Sequence, residues 1–256
     1  MVGSNQAFLL LMRIIRTMLL AFILFFAAPL GLHAALWMSK DHPANWATAD
    51  WSSTNTLPPP SRNRPAMVRV YSARTGRWKG VFATHSWIVL KDRDESSYER
   101  WDKVGWGKPV RRNNYAPDGR WYGNDPVLVR EVRGAEAERL IPRIRESIAG
   151  YAYQDRGDYR IWPGPNSNTF VAAVLADVPE LQAALPPTAI GKDFPHNGRW
   201  FAPTPSGTGF RLSLGGYASF TVAWIEGLEI SILGAVAGLD FAQPAVKLPG
   251  FGRIGF

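Results

Sequence analysis

Between Thr17 and Met38 the chain runs for 22 residues, TMLLAFILFFAAPLGLHAALWM, without a formally charged side chain. A helix of that length rises roughly 33 Å, enough to cross a hydrocarbon layer of about 30 Å. No polar face recurs at helical spacing between Thr17 and Leu32, so a half-buried helix of a water-surrounded domain does not fit. Arg13 and Arg16 stand just before the stretch, which predicts residues 1–16 on the cytoplasmic side and the remainder exported, with Trp37 at the outer interface. A cleaved signal peptide is the competing reading of residues 17–38. Its apolar run would be Met18 to Ala28 and its cleavage would fall near Leu32, His33 and Ala34, where Leu32 matches poorly the small residue required. Both readings put the same domain on the periplasmic side of an inner membrane.

At 256 residues the chain has ample length for a core, and 46% hydrophobic residues is too apolar for a disordered protein. The absence of cysteine excludes disulfides, thiolate nucleophiles and cysteine-based metal or cluster sites. Only His33, His42, His85 and His196 offer an imidazole. The HExxH, GxxxxGK, GxSxG and SxxK signatures are all missing, and no cofactor motif stands out.

Residues 39–65 are polar and rich in Pro and Ser, which reads as a linker with a stiff element at Leu57–Pro60. Residues 66–256 then form the exported globular domain. Strand-like runs at 67–72, 81–91, 98–106 and 126–132, separated by turn signals such as Asp118-Gly119, predict an antiparallel sheet. Over residues 135–149, Ala137, Leu140, Ile141, Ile144 and Ile148 fall on one helical face, with Pro142 expected to kink or divide the helix. A short strand at 159–162, a buried helix over 168–176 opening near Asn166 or Ser167, and a second short helix at 181–185 follow. The Gly-rich tail carries strand signals at 209–214, 219–224 and 228–236. Glu226 and Glu229 interrupt it, so it reads as a β-rich extension packed on the domain and not as a second span. The fold class is α+β, an antiparallel sheet packed on helices.

His85, within a strand, and Ser167, at a helix start, are the most specific pair. A serine nucleophile needs a base for its proton, and a helix N-terminus offers backbone N–H groups, here near Asn168, to a developing oxyanion. The competing reading is that Asn166, Ser167 and Asn168 only cap the helix and His85 is a core residue beside Trp87.

The stretch Trp162-Pro163-Gly164-Pro165-Asn166-Ser167-Asn168-Thr169-Phe170, with Ala83 to Trp87 and Lys247 to Gly250, resembles a bacterial family known only as a domain of unknown function, DUF3750. More distantly, Asn166 to Val171 is similar to the Asn-Cys-x-x-Phe-Val helix start of permuted papain-like proteins of the NlpC/P60 and lecithin:retinol acyltransferase type. In those a His on an early strand precedes the nucleophile, as His85 does here. That resemblance implies a permuted papain-like fold and a hydrolase or acyltransferase with Ser167 in place of cysteine. An alcohol keeps its proton where a thiol can ionise, so the exchange leans wholly on the base and equally suits a non-catalytic relative. A group orienting His85 is also required; the sequence does not single it out, and Asp102 on the next strand is one option.

Beyond residue 38 the chain holds 27 basic and 21 acidic residues. Arg62, Arg64, Arg69, Arg74, Arg77 and Lys79 crowd the start of the domain and read either as a contact for anionic lipid or envelope polymer, or as a solvated face. Export argues against nucleic acid as a partner. Trp87, Trp106 and Trp162 could line a groove for a glycan, peptide or lipid headgroup, or fill a core. Asp92, Asp94 and Glu95 lack the Gly and terminal Glu of a calcium loop and read as a charged turn. The function expected is thus a membrane-anchored envelope hydrolase or acyltransferase, with a non-catalytic binding module as the alternative.

Overall fold

The computed structural model describes residues 2–255. The apolar segment forms one helical rod: α1 (Val2–Phe22), a π-helical turn at Ile23–Ala27, and α2 (Ala28–Met38). Pro29 at the start of α2 has no N–H to give, and the widened turn lies directly before it. Within the rod, Gln6–Met38 is long and apolar enough to cross a membrane. Its C-terminal half is seated on the rest of the protein. Phe26 is buried, Trp37 Nε1 donates to the Arg77 carbonyl at 3.0 Å, and the His33 ring meets Phe251 edge-on at 5.0 Å. Gly80 permits this seat, because a Cβ there would collide with the Trp37 ring.

The remainder is α+β with two antiparallel sheets. The first comprises β1 (Met67–Arg74), β2 (Thr84–Lys91), β3 (Glu99–Lys103), β4 (Val110–Arg112) and β5 (Val127–Arg133), in the order β4-β3-β2-β1-β5. Alternation along β1 and β2 sends Val68, Val70, Ile88 and Leu90 into a core with helices α3 (Ala135–Ala149) and α4 (Ser167–Asp177). Met67, Tyr71, Trp87 and Val89 enter a second, aromatic cluster on the other face. Pro142 does not divide α3, whose five predicted apolar positions are all buried. Residues 159–162 form no strand, and the helix expected at 181–185 is only a 3₁₀ turn at Pro179–Leu181.

The segment 39–65, expected as a linker, is partly packed chain. Trp51 stands edge-on to Trp121 at 5.0 Å. The Asp118 carboxylate accepts from Ser53 Oγ at 2.6 Å and from the Thr56 and Leu57 amides at 2.8 and 3.1 Å. A buried aspartate with several donors holds a segment that composition alone marks as loose. The basic cluster is also dispersed: Arg69 is buried against Glu131, Arg74 donates to the carbonyls of Gly80 and Gly250, and Arg64 pairs with Asp94.

The tail forms a seven-stranded meander in the order β12-β11-β10-β9-β8-β7-β6. Its strands are β6 (Phe201–Pro203), β7 (Gly209–Leu214), β8 (Ala218–Ala223), β9 (Gly227–Ile232), β10 (Ala235–Asp240), β11 (Ala245–Leu248) and β12 (Gly252–Gly255). The expected strand at 228–236 is therefore a hairpin, broken at Leu233 and Gly234, which both take positive φ.

Candidate functional site

Helix α4 begins where it does because Asn166 caps it. The Asn166 side chain accepts from the amides of Asn168 and Thr169 at 2.9 and 3.1 Å, and Thr169 Oγ1 accepts from the Asn166 amide at 3.2 Å. Asn166 Nδ2 donates to the carbonyls of Ile161 and Ile190, both at 2.9 Å. Gly191, at φ +88, leaves room for that side chain where any Cβ would collide. Asn168 Nδ2 donates to the Thr84 carbonyl at 2.9 Å, tying the start of α4 to the beginning of β2. Ser167 is thereby held one residue from that tie on the helix, and His85 one residue from it on the strand.

His85 is fixed from the other side. Its Nε2 lies 2.8 Å from Asp102 Oδ1, and Arg100 grips the same carboxylate through Nε at 2.8 Å and a second nitrogen at 3.0 Å. The His85 ring stacks on Trp121 at 3.6 Å, and the Arg100 guanidinium lies 4.0 Å above Trp87. Burial alone would raise the Asp102 carboxyl, but Arg100 and His85 hold it down to about 2. Burial lowers the His85 pKa below its ordinary value, an effect Asp102 opposes and Arg100 reinforces. At neutral pH the ring is therefore uncharged, with its proton on Nε2 facing the carboxylate and its lone pair on Nδ1.

His85 and Ser167 line one cavity of about 750 Å³. Each is only 3% exposed, yet both border this space, together with Asn166, Asn168, Tyr159, Trp106, Trp121 and Trp162. The cavity is closed on one side by Phe22, Phe26 and Leu30 of the apolar rod. His85 and Ser167 are not hydrogen bonded to each other. Strand alternation puts His85 on the side of β2 shared with Trp87, opposite the core side on which α4 packs.

Two expectations are corrected. Trp87 does not line the cavity, being fully buried in the aromatic cluster under Arg100. The Asn168 backbone N–H is not a free oxyanion donor, because Asn166 Oδ1 occupies it. Tyr159, which the sequence did not single out, borders the same cavity beside Ser167. Burial raises its pKa, partly offset by hydrogen bonding with the Ser167 hydroxyl and backbone N–H. Arg100 and Asp102 carried one faint signal, two opposite charges two apart on a strand and so on one face. Among the described residues no His, Asp and Glu group could hold a metal ion, and Asp92 and Asp94 pair with Arg145 and Arg64.

A family model described as a protein of unknown function (DUF3750) matches residues 65–194, the part from β1 through α4 that carries His85, Asp102 and Ser167. No curated protein and no solved structure matches the chain.

Proposed function

Because the chain belongs to that family of unknown function, DUF3750, its activity has to be read from its own residues, and we propose a membrane-anchored hydrolase or acyltransferase acting on an acyl ester or amide of the cell envelope. The observation that carries the proposal is the shared cavity: a serine at a helix start and a histidine already oriented by a carboxylate border one half-open space. Ser167 Oγ attacks the acyl carbonyl while its proton passes to His85 Nδ1. As the ester or amide bond breaks, His85 returns that proton to the departing alcohol or amine. Water, or a second alcohol, then attacks the acyl-serine by the same route in reverse and frees Ser167. Tyr159, kept protonated by burial, is the group proposed to face the oxyanion. A catalytic hydrogen bond that is open without substrate and tightens on binding is ordinary for such a pair.

The histidine upstream of the nucleophile and the carboxylate on the adjoining strand agree with a permuted papain-like arrangement, which is part of the same proposal. So is location on the periplasmic face of an inner membrane, which rests on Arg13 and Arg16 preceding the apolar segment. The lining by Phe22, Phe26, Leu30, Trp162 and Leu233 suits a long acyl chain better than a glycan.

The test is covalent labelling of the full chain in vesicles by a fluorophosphonate. Wild type is expected to label and Ser167→Ala to lose labelling, with His85→Ala slowed by at least about 10³. Equal labelling of wild type and Ser167→Ala would remove the catalytic reading. The missing His85–Ser167 hydrogen bond favours a second reading, a binding module that uses the same cavity. That reading expects acyl-chain ligands to be retained by the His85→Ala, Ser167→Ala double variant and lost on replacing Trp162.

The pH dependence follows from the direction of the His85 shift. The base is active when neutral, and its pKa lies below the ordinary 6.5, so labelling should rise with pH through a single step below 6.5 and then level off. A rate that keeps rising through pH 7–8 would assign the titration to another group.

A further inference from the structure

The seven-stranded sheet is built inside out. Its register aligns Phe201, Leu212, Phe220, Ile230 and Ala237 in one cross-strand row. The adjoining row on the same face is Pro203, Phe210, Val222, Leu228, Leu239, Val246 and Ile254. Neither row contains a polar or charged side chain, and its large members are open: Phe201 is 62% exposed, Phe210 57% and Phe220 48%. The opposite face, turned into the protein, carries Arg211, Thr221, Glu229 and Lys247, all buried. A half-buried sheet in water alternates the other way. A bare apolar face spanning seven strands marks a surface that meets something other than water.

We propose that this face lies against the acyl chains of a lipid bilayer, in the leaflet nearer Met38. The apolar rod supplies the argument for that occupant. Its turn Ile23–Ala27 packs beside β10, a strand of this same sheet. If Thr17–Met38 crosses the membrane, that turn lies roughly 16–23 Å below the Met38 end, around the middle of the hydrocarbon layer and among the ends of the acyl chains. The sheet is thus carried to the level at which its apolar rows are matched by lipid. The edge strands β6 and β12 keep unpaired backbone groups, which a spanning sheet could not leave in lipid, so the sheet rests in one leaflet and does not cross.

The inference is independent of any activity at Ser167 and is tested without a substrate. The chain has no cysteine, so single replacements accept one nitroxide label each. Leu212→Cys, Phe220→Cys and Val222→Cys are made in the full chain, with Glu136→Cys on exposed α3 as control. Each position is exposed, so none removes a core contact, and three sites guard against one failing to fold. In phosphatidylcholine–phosphatidylglycerol vesicles the three sheet labels are expected to collide with dissolved oxygen more than with a water-soluble nickel chelate, the reverse of the control. Nickel collisions equal to the control would put the face in water. Suppression of both collisions would mean that protein, a second copy or another chain, covers it. Either result overturns the proposal.

Discussion

Replacing Asp102 by alanine is expected to lower the unfolding free energy by about 3–5 kcal/mol, the cost of stripping one partner from a buried ion pair. Arg100 is fully buried and spends two nitrogens on this carboxylate, with its remaining contact to the Ala116 carbonyl at 2.7 Å. Without Asp102 that guanidinium keeps its charge under Trp87 and Trp121 with no counter-ion. The double variant Arg100→Met, Asp102→Leu should recover most of the loss, because two matched apolar side chains restore what one orphaned charge destroys. Denaturant unfolding of the solubilised full chain measures both, and equal loss in single and double variants would mean that packing, not charge, is what Asp102 supplies. Asp102→Asn keeps the shape but also leaves Arg100 without a counter-ion and no longer holds the imidazole in the required tautomer, so labelling per folded molecule should fall by about 10⁴. The pH sign is fixed by the lowered pKa. The Asp102 contribution is fully present above the ordinary 3.8 and is lost as pH falls through about 2.

How far the sequence was legible depends on whether a feature is local. The apolar face of α3 and the strand-like runs at 67–72 and 81–91 are local patterns; α3 and β1 emerged at the expected places, whereas β2 begins only at Thr84, after a 3₁₀ turn that ends at Val81. The start of α4 was legible because Asn166 and Thr169 form a capping pair three residues apart. The grip of Asp102 on His85 was only one option among many, because adjacency of β2 and β3 is a matter of register. Tyr159 was read as part of a strand, whereas residues 151–166 form an irregular loop that brings its hydroxyl back to Ser167. The rod's closure over the cavity was hidden for a different reason. A stretch that satisfies the membrane rule explains its own apolarity, and nothing in Phe22, Phe26 or Leu30 announces a second contact.

The seven-stranded sheet shows the same limit most sharply, since alternation reveals that a strand has two faces and not which one goes inside. Glu229→Ala is therefore expected to be the costly substitution and Val222→Ser the cheap one. Glu229 is almost fully buried and accepts from Lys192 Nζ at 2.6 Å and Lys247 Nζ at 2.7 Å. Asp193, beside Lys192, ties in Arg211 and Ser219, so residues from the loop after α4 and from β7, β8, β9 and β11 share one ionic knot. Burial would lower the Lys192 pKa, but Asp193 and Glu229 raise it, so the ammonium stays charged. Removing Glu229 leaves Lys247 without its carboxylate and Lys192 with half of its own, for an expected loss of about 3–5 kcal/mol. Val222 is 47% exposed and touches no core cluster, so Val222→Ser in detergent should change stability by about 0.5 kcal/mol or less. Urea midpoints of the two variants decide the matter directly. An ordinary amphipathic sheet would reverse the order, with the valine costing more than the glutamate, and that order would show that the apolar rows, not the ionic knot, hold this sheet to the domain.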